Sequence, residues 1–199
     1  MKQVGNWWFP DFDNHCHKVV ASTVGDMDKT IPLCKKFDCA VQAGGNVGIW
    51  ARYLAERFET VWSFEPGFHN FECMRKNVTG VNIIHAGLGN ECGTGALDYL
   101  PHEKNNCGAW HTVPGAQFAV LTIDSLHLSA CDLIILDTEG NEPEILEGAK
   151  KTIASHRPVL MVEDKGLSDK YGVPMGWTDA IEGYQVADRV RRDVILVPE

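Results

Sequence analysis

The chain has 199 residues, 44% apolar and 23% charged, with a formal net charge of −9. That size and balance fit one soluble globular domain with a sizeable core, and the acidic excess disfavours non-specific binding to nucleic acid or anionic membrane. No apolar run is long enough to span a bilayer, the first ten residues lack a signal-peptide pattern, and the seven cysteines are scattered without a C-x-x-C, so they read as reduced thiols of a cytoplasmic protein.

Positions 1–36 carry Trp7, Trp8, Phe9 and Phe12 among acidic residues. They read as a lid over a site or a strap over exposed core, ahead of one domain at 37–199. Cys39–Ala43 is a short apolar run of buried-strand type, and a glycine turn follows it. Val47–Phe58 puts Val47, Trp50, Ala51, Leu54, Ala55 and Phe58 on one helical stripe. Val61–Phe64 and Val81–His85 read as the second and third strands, with a helix between them at Phe68–Val78. Leu88–Ile123 is rich in glycine, asparagine and histidine, and is expected to hold short strands at Gly95–Tyr99 and Phe118–Ile123 around a long loop. Leu133–Leu136 is a fourth strand. Asn141 is a plausible N-cap for a helix running to about Ser155, with Pro143 and acids in its first turn. Val159–Val162 is a fifth strand, and Gly183–Pro198 reads as two strands joined by a tight polar turn. Strands alternating with helices predict an α/β, Rossmann-like, mostly parallel sheet with helices on both faces.

In such a sheet ligands bind beyond the carboxyl ends of the strands. Those ends hold Gln42, Gly44, Gly45, Asn46 and Gly48, then Glu65 and Pro66, then Ala86, Gly87 and Leu88, then Asp137, Glu139 and Glu142, then Glu163, Asp164 and Lys165. The turn reads G-G-N-x-G rather than G-x-G-x-x-G, so alone it fits a tight strand–helix corner as well as a cofactor loop. Glu65 stands where a carboxylate about 20 residues past the turn accepts hydrogen bonds from ribose hydroxyls, which favours an adenosine-type cofactor. Glu142 and Glu144 also suit a helix N-terminus, and Asp124 a cap or turn. His15-Cys16-His17 has metal-ligand types, but neighbours on an extended chain point to opposite faces.

Four stretches then carry a family resemblance: AVQAGGNVG at 40–48, FEP at 64–66, TIDSL at 122–126 and DLIILDTEGNE at 132–142. Together they resemble the FkbM-type members of the class I methyltransferases, which use S-adenosylmethionine (SAM). The resemblance covers about 37–163 and implies a seven-stranded sheet whose last strand is antiparallel. It implies that Gly44, Gly45, Asn46 and Gly48 line the methionine and ribose of SAM and that Glu65 holds the ribose hydroxyls. Pro66 would stand beside Glu65, the segment at Gly87 and Leu88 would flank the adenine, and Asp137 would face the methyl group. The family usually has aspartate where this chain has Gln42. Glutamine accepts a hydrogen bond without charge assistance, so the contact to the cofactor's ammonium is left open.

Three routes would activate a hydroxyl acceptor on a small molecule or sugar. Asp137, Glu139 or His15 could act as general base. Asp137, Glu163 and Asp164 could instead hold Mg²⁺, or proximity alone could serve. Trp110, His111 and Trp177 are candidates for the acceptor border. One rival is an RNA 2′-O-methyltransferase using Lys18, Asp137, Lys165 and Glu182. Others are a SAM-binding module without catalysis and an NAD oxidoreductase.

Overall fold

The computed structural model describes residues 1–19, 24–99 and 101–199, without the side chains of 170 and 171. Positions 20–23 of the N-terminal segment and position 100 of the long loop lie outside the described residues. The chain opens with a hairpin, β1 (Lys2–Val4) and β2 (Trp7–Phe9), then α1 (Cys16–Val19) and α2 (Val24–Thr30). The alternating core follows: β3 (Cys39–Ala43), α3 (Ile49–Ala55), β4 (Thr60–Phe64), α4 (Phe68–Asn77) and β5 (Asn82–Ile84). Next come β6 (Ala86–Leu88), β7 (Gly93–Asp98), β8 (His111–Pro114) and β9 (Phe118–Leu121). Then β10 (Leu133–Leu136), α5 (Glu142–Glu147), α6 (Lys150–His156), β11 (Val159–Glu163), β12 (Tyr184–Val190) and β13 (Asp193–Pro198) complete it.

Seven strands form one mixed sheet in the order β12-β13-β11-β10-β3-β4-β5. The run from β11 to β5 is parallel, while β13 and β12 return antiparallel. All of β3, β10 and β11 is buried, as strands covered on both faces must be. Alternate residues serve opposite faces. Ala40, Leu133, Ile135 and Met161 join Met27, Ile49, Trp50 and Leu54 on one side. Val41, Ala43, Ile134, Leu136, Leu160 and Val162 join Ile145, Leu146 and Ala149 on the other. The N-terminal segment shares this core through Phe9, Cys16, Met27 and Cys34. Its hairpin is pinned by Asn77, whose Oδ1 accepts from Trp8 N at 2.7 Å while Nδ2 donates to Trp8 O at 2.9 Å.

The structure differs from expectation in several places. The strand expected at Val81–His85 is β5 alone, because the chain turns away at His85 and Ala86–Leu88 enters a separate four-stranded sheet, β6-β9-β7-β8. That sheet includes a strand, β8, inside the presumed loop. The helix from Val47 is shorter because Gly48, at φ 93°, is its N-cap. The helix expected from Asn141 to Ser155 is two, broken at Gly148 and Ala149. Asn141 makes no side-chain cap bond. Asp124 supplies the second start instead, accepting from Lys151 N at 3.0 Å, Thr152 N at 2.8 Å and Thr152 Oγ1 at 2.8 Å. Its cap therefore serves a helix more than twenty residues ahead, while Thr122 accepts from Ser125 N in the turn beside it.

Removing this cap is costly in proportion to the orphaned N–H groups. Asp124→Ala is expected to destabilise the fold by about 1–2 kcal/mol, read as a lower urea midpoint. An unchanged midpoint would contradict the capping role.

Candidate functional site

The β3–α3 turn is shaped by close packing. Gly44 N and Gly45 N both donate to Phe64 O, at 3.1 and 2.8 Å. A Cβ on Gly44, at φ 80°, would lie 1.8 Å from the Asp137 carbonyl oxygen, and one on Gly48 would lie 2.5 Å from Val78 Cγ2. These glycines are therefore required where the turn meets the ends of β10 and α4. Asn46 also takes a positive φ of 50°. Its N–H donates to Glu65 Oε2 at 2.7 Å, and Val47 N is capped by Asn46 Oδ1 at 2.7 Å. The N–H groups of Gly44, Gly45, Asn46 and Val47 are thus bonded within the chain.

Glu65 is buried. Its Oε1 accepts from Gly67 N at 2.7 Å, with Asn70 Nδ2 at 3.5 Å. Burial pushes its carboxyl up to about 7, against the hydrogen bonds from Gly67, Asn46 and Asn70. Glu65 lines a first cavity with Gly44, Asn46, Pro66, Asn70, Gly87, Leu88, Trp110 and Asp137. Two residues of this lining carry buried polar atoms, Asn70 Oδ1 and Trp110 Nε1, with no hydrogen-bond partner among the described residues. Such orphans are costly unless a ligand or water meets them. Trp110 stacks on Phe12 and on Tyr99, at centroid distances of 5.4 and 5.1 Å, so a residue of the N-terminal segment packs against one that lines this cavity.

A second cavity of about 240 Å³ adjoins the turn. It is bordered by His15, Gln42, Gly44, Gly45 and Asn46 on one side and by Asp137, Glu139, Glu163, Lys165 and Arg192 on the other. Gln42 is buried, and its Oε1 accepts from Ser63 Oγ at 3.0 Å. Asp137, Glu139 and Glu163 bring carboxylate oxygens within 4.8 Å of one another. Lys165 sits among them, with Nζ 2.8 Å from Glu139 Oε2 and 2.7 Å from Glu163 Oε1. Burial and then the neighbouring Glu139 lift Asp137 to about 6. Burial and then Asp137 lift Glu163 to about 9. Burial lifts Asp193, the cross-strand partner of Glu163, to about 7.

The expected Mg²⁺ trio is not assembled. The Oδ2 of Asp164 turns away to accept from Gly176 N and Thr178 Oγ1, both at 2.9 Å. Glu139 takes its place, and the ammonium of Lys165 already bridges two of the three carboxylates, so the residues do not fit an octahedral cation with oxygen ligands. His15 is exposed at the rim of the second cavity. His17 does not join it, since its Nδ1 is bonded to Asp13 at 2.8 Å. Glu142 is buried and organises the loop before its helix, accepting from Thr138 N, Thr138 Oγ1 and Gly140 N. Lys18 and Glu182 are exposed, and neither borders the cavities around Asp137 and Lys165. Lys165 and Asn70 are the residues that sequence reasoning undervalued. The position of Lys165, two residues past Glu163, was the available signal for the first.

Fold and site together define an open α/β domain with two cavities at the carboxyl ends of its parallel strands, the edge where such sheets bind ligands. Residues 42–174 match the family model described as the methyltransferase FkbM domain. The chain belongs to the FkbM methyltransferase family. It is 29% identical over 111 residues to "Methyltransferase 1" of Beauveria bassiana (strain ARSEF 2860), a match spanning 48% of this chain and 45% of that relative. The chain is thus matched to less than half the length of this curated relative. Among solved structures, an FkbM methyltransferase from Methylobacillus flagellatus KT superposes with a TM-score of 0.54 at 19% identity, covering 94% of this chain and 55% of that one. A putative methyltransferase from Streptococcus mutans in complex with SAH gives 0.51 at 13% identity, covering 87% and 96%. These two share the fold.

Raised carboxyl values carry a sign. Glu163 holds a proton in the folded state up to about 9, whereas its unperturbed value is 4.5. Folding therefore takes up a proton between those values, and stability falls as pH rises through that window. Urea midpoints should drop between about pH 5 and about pH 9, and Glu163→Gln should flatten the drop. Stability that rises over this interval, or an equal slope in the variant, would contradict the buried acid cluster.

Proposed function

We propose that the chain is a SAM-dependent methyltransferase that methylates a hydroxyl of a small molecule or sugar. The observation carrying the cofactor half is the first cavity, where the Glu65 carboxylate and the orphaned Asn70 Oδ1 and Trp110 Nε1 share one wall. This donor and acceptor set suits a nucleoside. Glu65 accepts from the ribose hydroxyls, Pro66, Gly87 and Leu88 flank the adenine, and Gly44, Gly45 and Asn46 line the methionine end, while Gly48, which borders neither cavity, serves the turn alone. The cavity encloses about 70 Å³, less than the several hundred usual for a ligand site. The methionine end therefore extends past the glycine turn into the adjoining second cavity of about 240 Å³.

SAM supplies an electrophilic methyl on a positively charged sulfonium. The second cavity gives the acidic surroundings that favour such a charge. Gln42 spends its carbonyl on Ser63, and the carboxylates of Asp137 and Glu139 supply across the cavity the charge that position 42 lacks. Asp137 is the general base of this reading. A carboxylate lifted to about 6 is mostly ionised at neutral pH yet basic enough to accept a hydroxyl proton. Lys165 positions Glu139 and Glu163 and limits repulsion at Asp137. His15, at the rim, is the second candidate base. No step runs through a metal.

Calorimetric titration with S-adenosylhomocysteine tests the cofactor site. Saturable binding is expected, with no comparable heat from NADH. Glu65→Gln should weaken it by roughly 1.5–3 kcal/mol through loss of charged hydrogen bonds. Because ribose hydroxyls donate to the ionised carboxylate, wild-type affinity should rise with pH through about 7, a rise that Glu65→Gln removes. Affinity unchanged in the variant would sink the ribose assignment.

A further inference from the structure

Cys16, in α1, and Cys107, in the loop between β7 and β8, bury their thiols together, each 3% exposed. Their Sγ atoms and an Asp13 carboxylate oxygen lie within 4.8 Å of one another. Around them, Asn106 Oδ1 accepts from Cys16 Sγ at 3.3 Å, and Asn46 reaches both sulfurs, through Nδ2 at 3.8 Å and Oδ1 at 4.0 Å. A Cβ on Gly108 would lie 2.9 Å from Cys16 Sγ, so the loop backbone itself approaches α1 closely.

Three ligand-type groups at this spacing raise the question of a soft cation such as zinc. Asp13 speaks against it. Its Oδ1 accepts from His15 N and Cys16 N at 3.3 and 3.0 Å. Its Oδ2 accepts from His17 N and His17 Nδ1 at 3.0 and 2.8 Å. Burial would raise this carboxyl, yet the bonds from His17, Cys16 and His15 hold it near 2. A carboxylate offers about four lone-pair sites, and all are taken. Two thiols remain, too few for a structural metal, but the right set for a covalent bond.

We propose that Cys16 and Cys107 form a redox-responsive disulfide that fastens the N-terminal segment to the loop beside the second cavity. The oxidant is a peroxide. Cys16 borders that wider cavity, and its sulfur attacks a peroxide oxygen. The O–O bond breaks, leaving a sulfenic acid on Cys16 and releasing water. Cys107 is the slower nucleophile, because the hydrogen bond with Cys16 and burial both push its thiol well above the ordinary range. It attacks the sulfenic sulfur, the S–S bond forms, the S–O bond breaks, and the hydroxyl leaves with the Cys107 proton as a second water. Two thiols lose two electrons and the peroxide gains two. Asn46 contacts both sulfurs from within the glycine turn, so the bond also stiffens the wall of the ligand site.

The test is independent of the methyltransferase reading. Cys92 is exposed and its thiol is lowered by hydrogen bonds from Thr122 and Ser125, so Cys92→Ser removes a competing target. This variant, treated with hydrogen peroxide and digested without reductant, should yield a peptide pair joining Cys16 to Cys107. The intact mass should fall by two hydrogens, the thermal midpoint should rise, and dithiothreitol should reverse both. Adding Cys16→Ser should abolish the linked pair. The proposal fails if both cysteines stay reduced in a folded chain, if they oxidise separately to sulfinic acids, or if purified protein holds one zinc per chain that blocks the bond.

Discussion

The Glu65 carboxylate is the contact on which the rest of the site depends. It accepts a main-chain N–H from each side of the first cavity, Asn46 on the β3–α3 turn and Gly67 on the β4–α4 turn, both at 2.7 Å. Two loops that start from neighbouring strands are thereby held at a fixed gap. Glycines make that gap reachable, since any side chain at position 44 would collide with the backbone after β10. Keeping a carboxyl out of water here costs free energy, visible as its upward shift. A ligand that offers hydroxyl donors to the same oxygens would recover part of that cost.

The opposite edge is built on a related compromise. Asp137, Glu139, Glu163 and Asp193 crowd the ends of β10, β11 and β13, and burial keeps several of them partly protonated. Lys165 is the internal counter-charge. Burial alone would lower its ammonium, but Glu163 and Glu139 outweigh that and raise it. Removing one member of such a group leaves the others less compensated, so these residues act as a set.

The apolar runs at β3, β4, β10 and β11 made the central sheet legible in the sequence, because strands buried on both faces leave an unmistakable composition. Glu65 was legible from its distance to the turn. What the sequence hid depends on long-range partners. Asp124 caps a helix far along the chain, and the split between α5 and α6 is written in that tertiary cap. Among the described residues β8 pairs with β7 alone, across a loop of ordinary polar composition. Asp164 neighbours Glu163 in sequence, but adjacent residues on an extended chain face opposite ways, so the expected metal trio came apart. The carbonyl of Gln42 accepts from Ser63, a residue of the adjacent strand. The rule is physical: periodicity reports burial, while a side chain's direction is set by neighbours remote in sequence.

The central claim is that this strand edge holds the adenosine of SAM through Glu65. The most direct measurement is a crystal structure of the chain grown with S-adenosylhomocysteine. The account predicts both ribose hydroxyls within hydrogen-bond distance of the Glu65 carboxylate, with the adenine between Pro66 and the Gly87–Leu88 strand. A ligand bound elsewhere, or a ribose making no contact with Glu65, would contradict it.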